Sequence, residues 1–356
     1  NSIKKITKSR YAISCINCSA ALQLSVRIIN PNYGDEILVP SITFISTINA
    51  IINNNCNPVF IDCGEDYLID VKQLTHFLKK QTIMKKGFCL NKKTRKRIIA
   101  VIVVHTFGNV VDLNKNFLEL CKKKNIKIIE DAAESLGSYY KINNSLKHSG
   151  VIGDIGCLSF NGNKIITSGG GGMIITNKKH YAEKAKYLSN QAKNDSTYFI
   201  HDDVGYNYRM SNLHAAVGIS QFKKLGKVII KKKKINSLYS KHLNKLKGLK
   251  ILKSPQNSKS NYWLSILKID KGSKTFSVKK NLIKFLEKKG IETRSVWYPN
   301  HLQKPFKRYQ NTNLNNSMKV FNEGLCLPSS FNLSKKEQSF VIKIIINFFK
   351  KNKNNV

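Results

Sequence analysis

The sequence predicts an α/β protein with a mainly parallel sheet flanked by helices, followed by a smaller α+β C-terminal domain. Strand-like and helix-like segments alternate through the first two-thirds of the 356 residues, a pattern typical of α/β proteins. The run from Ile98 to His105 is rich in β-branched residues, as expected for a parallel strand buried on both faces. From about residue 213 a long helical pattern begins, and residues 250–350 alternate differently.

Several predicted strands end on polar residues. The elements expected up to residue 176 are a strand and a helix in 12–30, a strand in 37–39, a helix in 41–52, strands in 58–62 and 98–105, a helix in 113–125, and strands in 127–131, 157–160 and 172–176. Open α/β sheets bind their ligands at the carboxyl ends of strands. We therefore expect Asp62, His105, Asp131 and the loop 159–172 at one edge of the sheet.

The C-terminal part predicts a second domain. Its expected elements are a long helix from about 213 to 247, strands in 262–269 and 291–296, and helices in 278–289 and 335–350. We predict a large ligand-binding domain in 1–225, and a linking helix with a small domain in 226–356.

The net charge is +40, from 61 Lys and Arg against 21 Asp and Glu. Such an excess can indicate a nucleic-acid or acidic-surface partner, but no RNA-binding aromatic motif, zinc finger or recognition-helix pattern accompanies it. We favour a solvated lysine-rich surface that attracts anionic substrates, with no nucleic acid as partner. No apolar run reaches the ~18 residues of a membrane span, and the basic first ten residues lack the apolar core of a signal peptide. A cytoplasmic protein is expected.

Eight cysteines occur, several of them within apolar runs, and we interpret them as small buried hydrophobic residues. Cys15 and Cys18 have C-x-x-C spacing. A zinc site would require a second Cys or His pair, and a thioredoxin-like site a preceding strand. Neither context is clear, so no metal is predicted.

The densest chemical signal is the segment from Ser159 to Gly172. Lys164 lies on a short loop between two apolar strands, and four consecutive glycines follow at 169–172. A confined lysine can act as an amine nucleophile, and glycines allow backbone to approach a flat ligand closely. A flexible surface loop with an incidental lysine explains this segment equally well. A P-loop is excluded because its G-x-x-x-x-G-K-[ST] pattern is missing.

Two acids, Asp131 and Glu134, follow a buried strand. A carboxylate at a strand end can face a cationic ring nitrogen, and pyridoxal phosphate needs such a group to remain an electron sink. Alternatively, Asp131 caps a helix, since an acid three residues later resembles a capping box.

Together these motifs resemble fold type I pyridoxal-phosphate enzymes, and in detail the DegT/DnrJ/EryC1/StrS family of nucleotide-sugar aminotransferases. The matching stretches cover nearly the whole chain in order: 34–44, 58–62, 104–108, 130–137, 159–172, 205–212, 292–294 and 301–303. The sequence Asn-Gly-Asn-Lys at 161–164, with Gln-Ala-Lys at 191–193, is most similar to the branch that aminates C4 of UDP-4-keto-6-deoxy-N-acetylhexosamines.

The resemblance implies a role for each matched position. Lys164 would form the Schiff base with the cofactor and carry the proton in catalysis. The remaining cofactor contacts would be Asp131 at the ring nitrogen, Glu134 beside the ring hydroxyl, Phe44 on the ring face, Cys18, Ser19 and Ser159 at the phosphate, and Asn207 at the phosphate of the partner subunit's cofactor. The last contact implies a homodimer with shared active sites. Tyr208, Arg209 and His301 are candidates for binding the sugar nucleotide, and L-glutamate would donate the amino group.

Two departures from the family leave alternatives open. Cys18 adds bulk where the family has Gly or Ala, and the match starts late relative to the family, so that an N-terminal arm is expected to be missing. An inactive or regulatory homologue is therefore one alternative. Another is an aminotransferase for a different keto-sugar nucleotide, aminated at C3 or linked to dTDP or GDP. Sugar dehydratases of the same family replace the Schiff-base lysine with histidine, so Lys164 disfavours that activity.

Overall fold

The computed structural model describes residues 1–142, 145–195 and 197–351. Its α-helices are α1 (Ser2–Thr7), α2 (Cys18–Ile28), α3 (Ile45–Ile52), α4 (Val71–Lys80), α5 (Lys115–Lys123), α6 (Lys179–Ser189), α7 (Asn212–Phe222), α8 (Leu225–Leu243), α9 (Thr275–Glu287), α10 (Asn315–Glu323) and α11 (Lys335–Lys351). Its strands are β1 (Tyr11–Cys15), β2 (Glu36–Pro40), β3 (Asn57–Ile61), β4 (Thr82–Lys85), β5 (Phe88–Asn91), β6 (Ile98–Val104), β7 (Lys127–Asp131), β8 (Tyr139–Ile142), β9 (Ser145–His148), β10 (Ile155–Ser159), β11 (Gly172–Thr176), β12 (Leu249–Ile251), β13 (Ser258–Lys259), β14 (Ser265–Ile269), β15 (Arg294–Ser295) and β16 (Gly324–Leu327).

The main sheet has seven strands in the order β1-β11-β10-β7-β6-β2-β3. Five consecutive strands, from β10 to β3, pair in parallel, whereas β11 runs antiparallel to both β10 and β1. Every residue of β6 is buried, because helices cover both faces of the sheet. The expected α/β fold with a mainly parallel sheet is confirmed.

A four-stranded antiparallel sheet, ordered β12-β14-β16-β15, lies in the C-terminal part. Apolar side chains of this sheet form one core with the buried faces of α8, α9 and α11. The proposed boundary near residue 225 coincides with the start of α8 at Leu225. The division into two domains stays a prediction.

Some elements differ in length from the sequence expectation. The helix expected over 213–247 is two helices, α7 and α8, because Lys224 N–H donates to the Gln221 carbonyl in a tight turn between them. The helix expected from residue 41 begins only at Ile45, since the side-chain amide of Asn300 holds the carbonyls of Ser41 and Thr43 in a loop.

The strand expected over 262–269 begins at Ser265. Tyr262 has φ of 55°, a left-handed conformation that cannot continue a strand. The strand expected over 291–296 is reduced to Arg294 and Ser295.

All eight cysteines are buried and free, which confirms their interpretation as hydrophobic residues. Cys15 ends β1 and Cys18 begins α2. Within the described ranges, no group of three or more His, Cys, Asp or Glu side chains could hold a metal ion. No helix of that part of the chain has the length and hydropathy needed to cross a bilayer.

Candidate active site

A cavity of about 410 Å³ opens at the carboxyl ends of β6, β7 and β10. The first turn of α2, the loop before α3 and the loop after β10 form its walls, and Trp263 and Trp297 enter from the C-terminal part of the chain. This is the edge at which the sequence placed the polar strand ends. The cavity brings together Cys18, Ser19, Phe44, Asp131, Glu134, Ser159 and Lys164.

Lys164 and Glu134 form a largely buried ion pair in this cavity. Lys164 Nζ lies 3.2 Å from Glu134 Oε1, and the two side chains are 13% and 5% exposed. Glu134 Oε2 accepts a hydrogen bond of 2.8 Å from the Phe107 amide. Burial raises the pKa of Glu134, while the charge of Lys164 opposes that rise. The ion pair therefore holds the primary amine in a fixed place, and little of the lysine side chain is exposed to water.

Asp131 ends β7 and is buried at the cavity wall. Its Oδ2 accepts a 2.7 Å hydrogen bond from Thr47 Oγ1, and its Oδ1 accepts one of 3.1 Å from the Ala133 amide. Burial raises the pKa of Asp131, and these two hydrogen bonds oppose the rise. A cationic nitrogen opposite this carboxyl would favour its charged form. The helix-cap alternative is wrong, because the residues after Asp131 form turns and no helix begins there.

The phosphate-binding end predicted from the sequence lies at the first turn of α2. Asn17 caps this helix, with its side-chain oxygen accepting a 2.8 Å hydrogen bond from the Ala20 amide. Gly172 packs so closely that a Cβ there would lie 2.4 Å from the Asn17 carbonyl carbon. Cys18 and Ser19 open the helix, and Ser159 lies on the same cavity. Helix amides and hydroxyls in this arrangement suit a phosphate group.

Aromatic rings form the flat walls of the cavity. Phe44 immediately precedes α3 and is 55% exposed. Trp297 stacks on Phe107 with ring centroids 4.7 Å apart, and the Trp263 ring lies 4.2 Å from Lys164 Nζ. An amine, a buried acid, a helix N-terminus and flat aromatic walls therefore surround one space. This donor set fits pyridoxal phosphate.

The family model that matches residues 1–346 is that of the DegT/DnrJ/EryC1/StrS aminotransferase family. The chain belongs to this family. It is accordingly a pyridoxal-phosphate-dependent sugar aminotransferase. EpsN of Bacillus subtilis is 33% identical over 93% of this chain and 82% of its own length. The GDP-perosamine synthase of Escherichia coli O157:H7 is 32% identical over 96% and 86%, respectively.

Solved structures show the same fold. A family aminotransferase from Brucella abortus superposes with a TM-score of 0.86 at 24% identity, covering 97% of this chain and 88% of its own. Helicobacter pylori PseC, an aminotransferase involved in the biosynthesis of pseudaminic acid, gives 0.86 at 22% identity and covers 98% and 90%. The expectation of fold type I is thereby confirmed.

Four other residues implicated by the sequence lie outside the cavity wall of this aminotransferase. Asn207 and Arg209 line a different cavity, of about 890 Å³, beside β1 and α6. The Tyr208 hydroxyl donates to Gln23 Oε1 at 3.0 Å, and His301 Nδ1 lies 2.7 Å from Ser41 Oγ. Their roles in binding the partner's cofactor or the sugar nucleotide stay predictions.

Two strand-end residues of the aminotransferase have structural contacts instead. Asp62 accepts hydrogen bonds from the amides of Asn316 and Ser317 at the start of α10. His105 Nε2 lies 2.8 Å from Glu130 Oε2, and the His105 Nδ1 accepts from the Val111 amide. The neutral Nε2–H tautomer satisfies both contacts.

The sequence interpretation missed Thr47, Trp263 and Trp297. The contact of Thr47 with Asp131 depends on where α3 packs, so no local motif indicates it. The chain has only two tryptophans, and both line the cavity. That scarcity was the one available signal.

Proposed function

We propose that this aminotransferase transfers an amino group from L-glutamate to C4 of a UDP-4-keto-6-deoxy-N-acetylhexosamine, in the synthesis of surface-glycan amino sugars. The observation that carries the proposal is the arrangement of Lys164, Glu134 and Asp131 around one cavity. The Asn-Gly-Asn-Lys sequence at 161–164 supports the choice of sugar. The charge of +40 favours approach of a nucleotide diphosphate by electrostatic steering.

The chain's own groups have distinct roles in this proposal. Bound pyridoxal phosphate supplies an electron sink for the transfer. Asp131 would stabilise a positive charge at the ring nitrogen, and Thr47 keeps the Asp131 carboxylate in place. Lys164 Nζ is the amine that attaches the cofactor and, when free, the base that takes and returns a proton. Glu134 Oε1 accepts a 3.2 Å hydrogen bond from that nitrogen and holds it in position.

The decisive experiment combines the purified protein, pyridoxal phosphate, L-glutamate and the UDP-4-keto sugar, with mass spectrometry to detect the amino sugar. Among the described residues that line the cavity, Lys164 carries the one side-chain amine, so Lys164→Ala is expected to lose turnover and the visible absorbance of lysine-bound cofactor. Turnover that survives in Lys164→Ala would refute the proposed role of this residue.

A GDP-linked keto sugar is the second candidate substrate. It is favoured by GDP-perosamine synthases of three species, which are 30–32% identical to this chain over 94–96% of its length. Parallel assays with GDP- and UDP-linked 4-keto sugars distinguish the two. A kcat/KM at least tenfold higher for the GDP sugar would reject the UDP assignment.

We also propose a homodimer with shared active sites. No residue of α7 is buried in the single chain, and Leu213, Val217 and Ile219 of this helix are 81%, 48% and 58% exposed. Apolar patches of this kind mark protein interfaces, and α7 directly follows Asn207 and Arg209. Leu213→Asp should halve the mass measured by light scattering. Phe340→Asp, the same kind of change at an apolar side chain of α11 that is 47% exposed, is the matched control.

A further inference from the structure

Trp263 touches Lys164 in two ways. Its ring lies 4.2 Å from Lys164 Nζ, and its indole Nε1–H donates a 2.8 Å hydrogen bond to the Asn163 carbonyl, on the residue just before the lysine. The first contact places the aromatic face against the amine, and the second fixes the backbone from which the side chain extends. The place of this one indole therefore sets the place of the amine.

Asn261 holds the backbone that carries Trp263. The side chain of Asn261 is fully buried. Its Nδ2 donates 2.9 Å hydrogen bonds to the Glu134 and Leu136 carbonyls, and its Oδ1 accepts a 2.9 Å hydrogen bond from the Trp263 amide. One amide side chain thus ties the turn that contains Glu134 to the residue that faces Lys164.

The segment has little freedom to take another path. Tyr262, between Asn261 and Trp263, has φ of 55°, a backbone conformation that residues other than glycine rarely adopt. Gly108 has φ of 91° and packs against the segment, so that a Cβ there would lie 2.0 Å from Asn261 Oδ1. A backbone conformation of this kind persists only where its surroundings enforce it.

Lys232 of α8 holds the same residue from the other side. Its side chain is buried, and Nζ donates 2.8 Å hydrogen bonds to the carbonyls of Trp263 and Ser329. No carboxylate of the described residues pairs with it, and burial lowers the pKa of Lys232 to about 8. A buried ammonium without an acid is costly, so this one is retained at a cost in stability.

We propose that Lys232 and Asn261 are positioning residues for Lys164 and act on it through Trp263. They fix the indole from two sides, and the indole then holds the lysine amine beside Glu134. The inference rests on the proposed role of Lys164 as the cofactor-binding lysine. Small displacements of a reacting group are sufficient to lose much of its reactivity, so loss of either residue should weaken cofactor capture.

Lys279 offers a matched control for Lys232. It is also a buried lysine, burial lowers its pKa to about 8, and its Nζ donates to Ser295 Oγ and the Phe321 carbonyl. Ser295 lines a cavity of about 350 Å³ that Trp263 also lines, but among the described residues neither Lys279 nor its two partners hydrogen-bonds to Trp263 or Lys164. Lys232→Met and Lys279→Met therefore remove similar ammonium groups, of which only Lys232 is hydrogen-bonded to Trp263.

The experiment measures pyridoxal phosphate affinity of the full-length protein by its visible absorbance. Lys232→Met is expected to raise the Kd about tenfold, the effect of losing about 1.4 kcal/mol, whereas Lys279→Met should stay within about twofold of the parent because its hydrogen bonds go to Ser295 and Phe321 and do not hold Trp263. In a Trp297→Phe background Trp263 is the single tryptophan, and its emission should shift with Lys232→Met only. Equal affinities and equal emission in both lysine variants would overturn the proposal, whatever happens to the unfolding temperature.

A second pair of variants serves if Lys232→Met does not fold. Trp263→Phe keeps an aromatic face toward Lys164, and Trp263→Leu removes it, so the proposal expects weaker cofactor capture in the leucine variant. Equal capture by the two would also overturn it. Lys164→Ala separates the two proposals. If this variant still forms the visible band of lysine-bound cofactor, the proposed role of Lys164 is wrong. If the band is lost in Lys164→Ala but Lys232→Met and Lys279→Met bind the cofactor equally well, only the positioning role is wrong.

Discussion

Replacement of Thr47 by valine tests how the buried acid of the cavity is kept charged. Valine has the same shape but no hydroxyl, so Asp131 Oδ2 loses the 2.7 Å hydrogen bond from Thr47. Asp131 Oδ1 keeps its contact with the Ala133 amide. Since burial already raises the pKa of Asp131, removal of a donor raises it further, and the carboxylate forms only at higher pH.

The magnitude follows from the type of hydrogen bond. A hydrogen bond to a charged group contributes about 1.5–3 kcal/mol, and at ~1.4 kcal/mol per pH unit the lower end corresponds to about one pH unit. We expect the acid side of a plot of pyridoxal phosphate affinity against pH to move upward by about that amount in Thr47→Val. On the acid side of that plot the affinity should fall several-fold, while on its alkaline side it should change little.

Thr47→Ser is the control, because it keeps the hydroxyl and removes only a methyl group. It should retain the parent pH profile. Thr43 Oγ1 lies 3.1 Å from Thr47 Oγ1, so Thr43→Val tests whether the second hydroxyl contributes a smaller effect through the first. If Thr47→Val and Thr47→Ser show the same profile, the hydrogen bond does not control the charge of Asp131 and this reasoning is refuted.

Three further predictions concern residues away from the cofactor. Asp62→Ala leaves the α10 amides of Asn316 and Ser317 without their acceptor. The free energy of unfolding, measured in urea, should fall by about 3 kcal/mol, while cofactor affinity stays unchanged. A parallel loss of cofactor affinity would contradict this prediction. Burial lowers the pKa of His148 from 6.5 to about 4, so between these pH values the unfolded chain binds a proton that the folded chain does not. The free energy of unfolding should therefore fall by up to about 3 kcal/mol as the pH drops from 6.5 to 4. His148→Gln should flatten this dependence, and an equally steep curve in that variant would argue against it. Burial raises the pKa of Cys15 to about 12, and all eight thiols are buried. A thiol reagent should therefore modify the folded protein slowly and the denatured protein at eight sites. Rapid reaction of several thiols before unfolding would contradict this burial.

The sequence predicted most successfully what is encoded locally. Strand β6 follows from a run of apolar side chains, and the lysine loop follows from Lys164 between two strands and the glycines behind it. Asp131 ends β7, 33 residues before Lys164, and the order of strands and helices places both residues at one sheet edge. The alternation of elements was therefore sufficient to predict the fold class and the position of the site.

Contacts made across long stretches of chain could not be predicted in this way. Trp263 lies 99 positions after Lys164 in the sequence, and it reaches the lysine only because Asn261 and a left-handed Tyr262 turn the chain toward it. The predicted start of α3 was wrong for a similar reason. The start of α3 is set by Asn300, which holds the preceding loop from the far end of the chain.

The buried side chain of Glu130 also bears on how reliably the chain finds its native strand pairing. Glu130 and Asp131 are neighbours on β7, so they point to opposite faces of the sheet. The carboxylate of Glu130 accepts hydrogen bonds from the amides of Gly150, Ile152 and Gly153. A slip of β7 by one residue would exchange the two acids, leaving these three donors unsatisfied and turning a longer side chain into the cavity. The hydrogen bonds of Glu130 thus favour the strand register in which Asp131, and not Glu130, faces the cavity.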